Sequence, residues 1–504
     1  MAVVVTPRLP RAPDLYAHLL WAWQVSKCLD HGQLPLWFPD LNAGFGSPGI
    51  RLYSPLGPLL TGSLGLLLGD VGRGLRAAAI MAMCGILAVS LLREPRWSLR
   101  WRVAVGVVVI VSPAALFSLF ARTAWSEYLA IPCAWWVLDR MVTGRLRGVG
   151  DGIAVAVLWL LHAPTAVMVG VIGGVCLLLQ RSWAAVQANA IVAAVAAGLT
   201  CWHWLPLVVE SGLIDRRAAF TTGLFTPARN LLGSETAFGW RDNLWLGWAA
   251  IGLLAAVLAA GAWTNHRGRV VVAIGCVALA SPLAAPLWRL ETPLIWLQFP
   301  WRWLLPATLI LVPAIADPRG RRAAGLFCLL APSLLLTWVS WVQLPVVRAA
   351  DDWHSVGTTV YDFLGANPLL VDVPENRPPA FDHLAVNLES LGLDGLVSVS
   401  NGGDVVAVHR WAPLLRSVEV SGSTPATVSF RVLDYPGWSV SRSGGEDLPP
   451  GNVSGLVSCR VPEGRHVVDL EWVGNPWSSV GQIVAALTVL VLVVGRRLRA
   501  GAVS

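Results

Sequence analysis

Long apolar runs alternate with short polar breaks along most of this chain. The length of the runs, rather than an amphipathic period, is what repeats. They cover residues 74–92, 103–120, 125–140, 150–161, 164–180, 184–206, 244–263, 270–287, 301–316, 323–343 and 480–495. The pattern predicts an α-helical polytopic membrane protein of about eleven spans. Residues 150–180 read as two spans or as one broken helix, because His162-Ala163-Pro164 forces a kink or a turn. Residues 56–69 are apolar but short and rich in glycine, which predicts a re-entrant or interfacial segment.

Beyond about residue 344 the pattern changes. VSVS (397–400), DVVAVHR (404–410), ATVSFRVLDY (426–435) and RHVVDLEWV (465–473) read as short strands. SGSTP, YPGW and LPPGN punctuate them as turns. The predicted organisation is an outer loop with amphipathic helices over 1–73 and a multi-span domain over 74–343. An extracytoplasmic β-rich domain over 344–479 follows, then a last span and basic tail over 480–504.

Composition agrees with the pattern: 55% hydrophobic and 13% charged residues exclude a soluble globular chain. The net charge of +7 comes from arginines set between apolar runs, with no basic stripe, so nucleic acid is not an expected partner. These arginines orient the spans. Arg93, Arg96, Arg100 and Arg102, then Arg140, Arg145 and Arg147, then Arg267 and Arg269, all fall on one side. So do Arg319, Arg321 and Arg322, and Arg496, Arg497 and Arg499. The positive-inside rule makes that side cytoplasmic, and places 1–73 and 344–479 on the outer side of the membrane. The same count puts Met1 outside with no signal-peptide pattern. Either 56–69 does span, or a further helix precedes Met1.

Most cysteines, among them Cys84, Cys133, Cys176, Cys201, Cys276 and Cys328, sit inside apolar runs as small core residues. Cys28 and Cys459 lie outside the runs, where a bridge between them is open but has no spacing to support it. The 27 tryptophans fit interfacial belts and helix packing.

Candidate chemistry concentrates in residues 14–58. Asp14 and His18 share one face of a predicted helix, and Gly32 is its expected stop. A loop rich in Pro and Gly follows, ending in Arg51, Tyr53 and Pro55. A shaped polar loop bearing an acid and a histidine beside a membrane has the composition of an active-site loop. No Walker, Rossmann, HExxH or GxSxG motif is present, which removes nucleotide hydrolysis and familiar hydrolase chemistry.

The stretch HGQLPLWFPDLNAGFGSPGIRLYSPL, with Asp14 and His18 before it, resembles bacterial integral membrane proteins labelled pyruvoyl-tetrahydropterin synthase-related, with relatives of the YfhO type. ARTAWSEYLA (121–130), LQFPWRWL (297–304) and FRVLDYPGW (430–438) support the same resemblance. These proteins look like members of the GT-C glycosyltransferase superfamily. The resemblance implies an inverting transferase moving a sugar from a polyprenyl-phosphate donor to a cell-envelope glycan, lipid or protein. It also implies a catalytic carboxylate in the first outer loop, which Asp14 matches by position.

On that basis Asp14 is the expected base, with His18 orienting it or joining it on a divalent metal. Arg51, Arg122 and Arg302 are candidates for the leaving phosphate, with Asp40, Tyr53, Glu127 and His162 as further substrate contacts. Each has a plainer reading. Asp14 can cap its helix, Asp40 can form a turn, and Arg122 and Glu127 can pair. His162 can mark a helix break, and Arg302 can stack between Trp301 and Trp303. The alternative function is a non-catalytic membrane protein that binds or moves a lipid-linked glycan.

Overall fold

The computed structural model describes residues 8–10, 14–42, 44–93, 97–146, 148–213, 226–232, 252, 267–290, 294, 297–315, 346–348, 395–442 and 445–501. The expected spans 244–263 and 323–343, and the stretch 351–394, lie outside the described residues.

The helical part runs α1 (Leu15–Asp30), α2 (Leu56–Leu68), α3 (Val71–Arg93), α4 (Leu99–Ile110), α5 (Trp125–Val142), α6 (Val149–Leu161) and α7 (Ala163–Gln180). It continues with α8 (Trp183–Leu199), α9 (Cys201–Val209), α10 (Arg267–Ala280) and α11 (Leu304–Ile315), and closes with α12 (Pro476–Gly501) after the β domain. Among the described residues α3, α7 and the first twenty residues of α12 are long and apolar enough to cross a membrane. Up to six spans result if each bent helix pair counts as one. Two of the expected eleven lie outside the described residues, α6 is a shorter apolar helix, and three of the expected runs are bent pairs. The apolar run 184–206 is two helices bent by 75°, and 270–287 is bent by 75° as well.

The last helix shows most plainly why lipid is required. Its spanning window is only 6% buried, with Ile483, Leu487, Leu490 and Val491 all exposed. Such a surface in water would be an aggregation site. One place where α12 touches the rest is Gly481, whose missing Cβ lets it lie against the Cys201 carbonyl, and another is Thr488, which lies against Gly198.

Helix α1 departs from expectation. It was predicted amphipathic, yet Leu15, Leu19, Leu20, Trp21, Ala22, Val25 and Cys28 are all buried on it, together with His18, Gln24 and Ser26. It lies inside the helical core rather than on a surface. Helix α2 explains part of this. Its 13 residues rise about 20 Å, short of a bilayer crossing. It packs against α1, and Gly62 meets Val25 and the Ala22 carbonyl at distances that leave no room for a side chain.

The β domain is two antiparallel sheets, β3 (Val397–Val399), β6 (Ala426–Leu433), β10 (Leu456–Val461) and β9 (Gly451–Val453) in that spatial order against a second sheet. The second runs β4 (Asp404–Ala412), β5 (Leu415–Gly422), β11 (Gly464–Trp472), β7 (Trp438–Arg442) and β8 (Glu446–Leu448). Alternation along β5 buries Arg416, Val418 and Val420 inward, facing Val428, Phe430 and Val432 of β6 across one core. Arg8–Pro10 (β1) and Val346–Arg348 (β2) form a separate two-stranded ribbon. Cys28 and Cys459 are both buried free thiols, Cys28 in the helical core and Cys459 in the β core.

The glycine-rich opening loop joins these two parts. Phe38 and Leu41 belong to the helical core, while Trp37 and Phe45 belong to the core of the β domain. Trp37 lies against Trp438 and Trp472, ring centres 5.2 and 5.4 Å away. The Leu433 N–H donates to the Phe45 carbonyl at 2.9 Å, and the Leu414 N–H donates to Gln33 Oε1 at 3.0 Å. Gly46 sits at φ +86° directly against the Trp37 indole, where any Cβ would overlap the ring.

Candidate active site

The site is built around the N-terminal end of α5. A π-helical turn at Phe117–Ala121 breaks the preceding helix. Arg122 follows, then Thr123 at φ +57°, buried and outside the comfortable range for a β-branched residue. Gln298, just before Phe299, is left-handed too, at φ +57°. Strained non-glycine backbone of this kind survives where the surroundings fix it, and clusters at functional sites.

These turns bring two acids and two guanidiniums together. Asp14 stands at the N-cap position of α1, but its side chain accepts no capping hydrogen bond. Its carboxylate pairs with Arg122 Nη2, and its N–H donates to the Arg122 carbonyl at 3.1 Å. The Asp14 side chain is 27% exposed while Arg122 is 3% exposed, so the acid is the accessible member of the pair. Glu127, one turn into α5, is buried. Its Oε1 accepts from Ser118 Oγ at 2.8 Å and its Oε2 from Arg302 Nε at 3.2 Å. Arg302 also donates through Nη1 to the Leu297 carbonyl at 2.9 Å. One phenyl ring serves both cations: Phe299 lies 4.4 Å from the Arg122 guanidinium carbon and 4.8 Å from that of Arg302.

Aromatic and imidazole groups line the same place. His18 meets Trp21 at 5.9 Å, Trp21 meets Tyr53 at 4.8 Å, and Tyr53 meets His162 at 6.5 Å between ring centres. His162 Nδ1 accepts the Thr165 N–H at 3.3 Å, capping α7, and its Nε2 is 4.0 Å from Glu127 Oε2. That bond leaves the proton of the neutral ring on Nε2, facing the carboxylate. Burial lowers the His18 pKa from 6.5 to about 4, with Asp14 opposing, so its ring is neutral at pH 7. Burial likewise pushes the Tyr53 phenol well above its ordinary range and keeps it a hydrogen-bond donor.

Asp14, His18, Tyr53, Arg122, Glu127, His162 and Arg302 thus share one site, while Asp40 and Arg51 stand apart from it. Asp40 accepts from Lys27 Nζ at 2.7 Å and Gln24 Nε2 at 2.9 Å, and so fixes the opening loop to α1. Arg51 pairs with the buried Glu210 at 2.6 Å and lies 5.1 Å from the Trp472 ring centre. Glu210 also accepts from Asn475 Nδ2 at 2.6 Å and Tyr435 Oη at 3.0 Å. Arg51 thus helps to hold the β domain to the helices, and Asp40 holds the opening loop to α1.

Ser118, Phe299 and His203 were not singled out from sequence. Phe299 lies inside LQFPWRWL, so that stretch carried its signal. His203 had none. It accepts from Trp159 Nε1 at 3.1 Å and holds the Tyr53 carbonyl at 2.8 Å. Ser54 Oγ completes the clamp, accepting the Ala163 N–H at 2.8 Å.

A divalent metal has no natural seat here. Among the described residues no three His, Cys, Asp or Glu side chains are grouped closely enough to hold a metal ion, and both carboxylates of the site already face arginines. The cations in place are guanidiniums.

No family model matches the sequence, and no curated protein matches it. Among solved structures, the chain is similar to the cryo-EM structure of the arabinofuranosyltransferase AftD from Mycobacteria, at 19% identity and a TM-score of 0.43. The likeness covers 68% of this chain and 26% of that one, so this chain spans about a quarter of that protein's length. At that score it carries no weight for function.

Proposed function

We propose that the chain is an inverting glycosyltransferase of GT-C type, taking a sugar from a polyprenyl-phosphate donor to a cell-envelope glycan, lipid or protein. The observation that carries this reading is the accessible Asp14 carboxylate set against Arg122 and Arg302, at one end of the helical domain. Arg93, Arg269 and Asp139 pair at the other end of α5. Glu127 and Asp139 lie twelve residues apart on that helix, a rise of about 18 Å. Under the positive-inside rule the arginine-rich end faces the cytoplasm, and the site faces outward.

The chemistry follows from the charges. Each carboxylate of the site is matched by a guanidinium. An arriving phosphodiester competes with Asp14 for Arg122, and winning that contact leaves the Asp14 carboxylate for the acceptor hydroxyl. The acceptor oxygen then attacks the anomeric carbon as Asp14 takes its proton. The bond from that carbon to the phosphate oxygen breaks, and its electron pair stays on the phosphate. Charge growing there is met by Arg122 and Arg302. Glu127 holds Arg302 in place, and Tyr53 supplies a neutral donor beside them.

The engagement of both acids by arginines also suits the second reading, a chain that binds a lipid-linked glycan without transferring it. Radiolabelled transfer from a panel of polyprenyl-phosphate sugars, with wild-type chain in membranes, separates the two. Labelled acceptor appearing only with the inserted chain supports the enzyme. Donor retention with no transfer from any sugar in the panel favours the carrier.

A further inference from the structure

The opening loop and the β sandwich leave a cleft between them that the reaction described above does not use. Among the described residues it encloses about 340 Å³ and is lined by Lys27, His31, Asp40, Trp411, Pro413 and Arg431, among others. That volume is within the usual range for small-ligand sites, about 300–1,000 Å³. Lys27 and His31 end the helix that Asp14 begins, so the cleft lies about 20–25 Å from Asp14 at 1.5 Å per residue.

We infer that this cleft binds a saccharide segment of the acceptor, several units away from the hydroxyl that reacts. The inference rests on the glycosyltransferase reading for its word "acceptor", but its chemistry stands on the cleft itself. A sugar presents apolar C–H faces and rows of hydroxyls. The half-buried Trp411 indole offers a surface for the first. The Lys27–Asp40 pair, 2.7 Å apart, offers donors and acceptors side by side for the second.

Behind Trp411 lies Arg416, 1% exposed, its guanidinium carbon 5.0 Å from the indole centre. Its Nη1 donates to the Pro413 carbonyl at 3.0 Å, while its buried Nε–H has no partner. Burial pulls its pKa down to about 9, with Asp40 opposing. Lys27, His31, Asp40 and Arg431 in the wall disfavour a lipid tail, which would strip water from them and offer no hydrogen bond in return. Asp40 neutralises Lys27, while Arg431 adds a cation to the wall, so anionic polymers are the competing ligand to be separated from saccharide.

The test is binding, not transfer. Neutral and uronate-bearing oligosaccharides of hexoses and pentoses are titrated into the full chain in detergent, following tryptophan fluorescence and calorimetry. Wild type should bind one member of the panel. Trp411→Ala should weaken it at least tenfold, and His31→Ala, at an exposed position that folding tolerates, several-fold. Failure of every saccharide to bind overturns the inference, as does binding unchanged in both cleft variants. Binding of phosphate-rich polymers without saccharide binding also overturns it. Saccharide binding that persists where no donor sugar is ever transferred would leave the cleft standing and remove the transferase reading instead.

Discussion

At the scale of single residues, Asp14 decides the most. An aspartate before a helix ordinarily caps it, and this one does not, because Arg122 reaches it first. A planar guanidinium can hold a carboxylate and later a phosphate in the same fork, which lysine cannot. Arg122→Lys should therefore lower transfer by about 10²-fold at saturating acceptor while the protein still inserts. Unchanged transfer would remove Arg122 from the donor contacts.

His18 makes a prediction about stability. Its folded pKa of about 4 lies below its ordinary 6.5, because burial disfavours the charged ring. Between pH 6.5 and pH 4 the unfolded chain therefore binds a proton that the folded chain does not. Stability is kept in full above that window and falls as pH drops through it, by about 3 kcal/mol at most. Melting in detergent at pH 7 and pH 4.5 should show a smaller acid-induced loss in His18→Gln than in wild type. An equal loss would mean that the ring is hydrated.

At the scale of elements, the opening loop is the part whose role changed most between sequence and structure. Its glycines and prolines announce a shaped loop, but not what shapes it. The answer is the β domain, whose core takes in Trp37 and Phe45 from nearly 400 positions upstream. Gly46→Ala should cost about 3 kcal/mol, from left-handed strain together with overlap on Trp37. Gly32→Ala, also left-handed but with open space around it, should cost about 1 kcal/mol. Equal shifts in melting would show that the Trp37 contact does not hold the loop. The stop of α1 at Gly32, the break at His162 and the strands beyond 397 were all legible, because local backbone preference governs them. The π-helical turn before Arg122 and the positive φ of Thr123 were not. Nothing in ARTAWSE marks a strained backbone.

At the scale of the molecule, residue types were readable and partners were not. Asp14 and Arg122 are 108 positions apart, Glu127 and Arg302 are 175 apart, and no spacing predicts either pair. Arg51 closes a conspicuous motif, and from sequence it reads as a candidate phosphate ligand. It serves instead with Glu210, Tyr435 and Asn475 as the polar joint between helices and β domain. Glu210→Ala leaves Arg51 buried without its carboxylate and should cost about 3–5 kcal/mol. Limited proteolysis should then release the β domain faster than from wild type, and an unchanged rate would refute the joint.

The central claim is that Asp14 is the base of a sugar transfer at this site. The most direct measurement compares wild type with Asp14→Asn for transfer of radiolabelled sugar, and in parallel for retention of the polyprenyl-phosphate donor. The account predicts that Asp14→Asn keeps the donor and loses transfer by a factor of about 10² or more. Transfer at the wild-type rate in Asp14→Asn would contradict it.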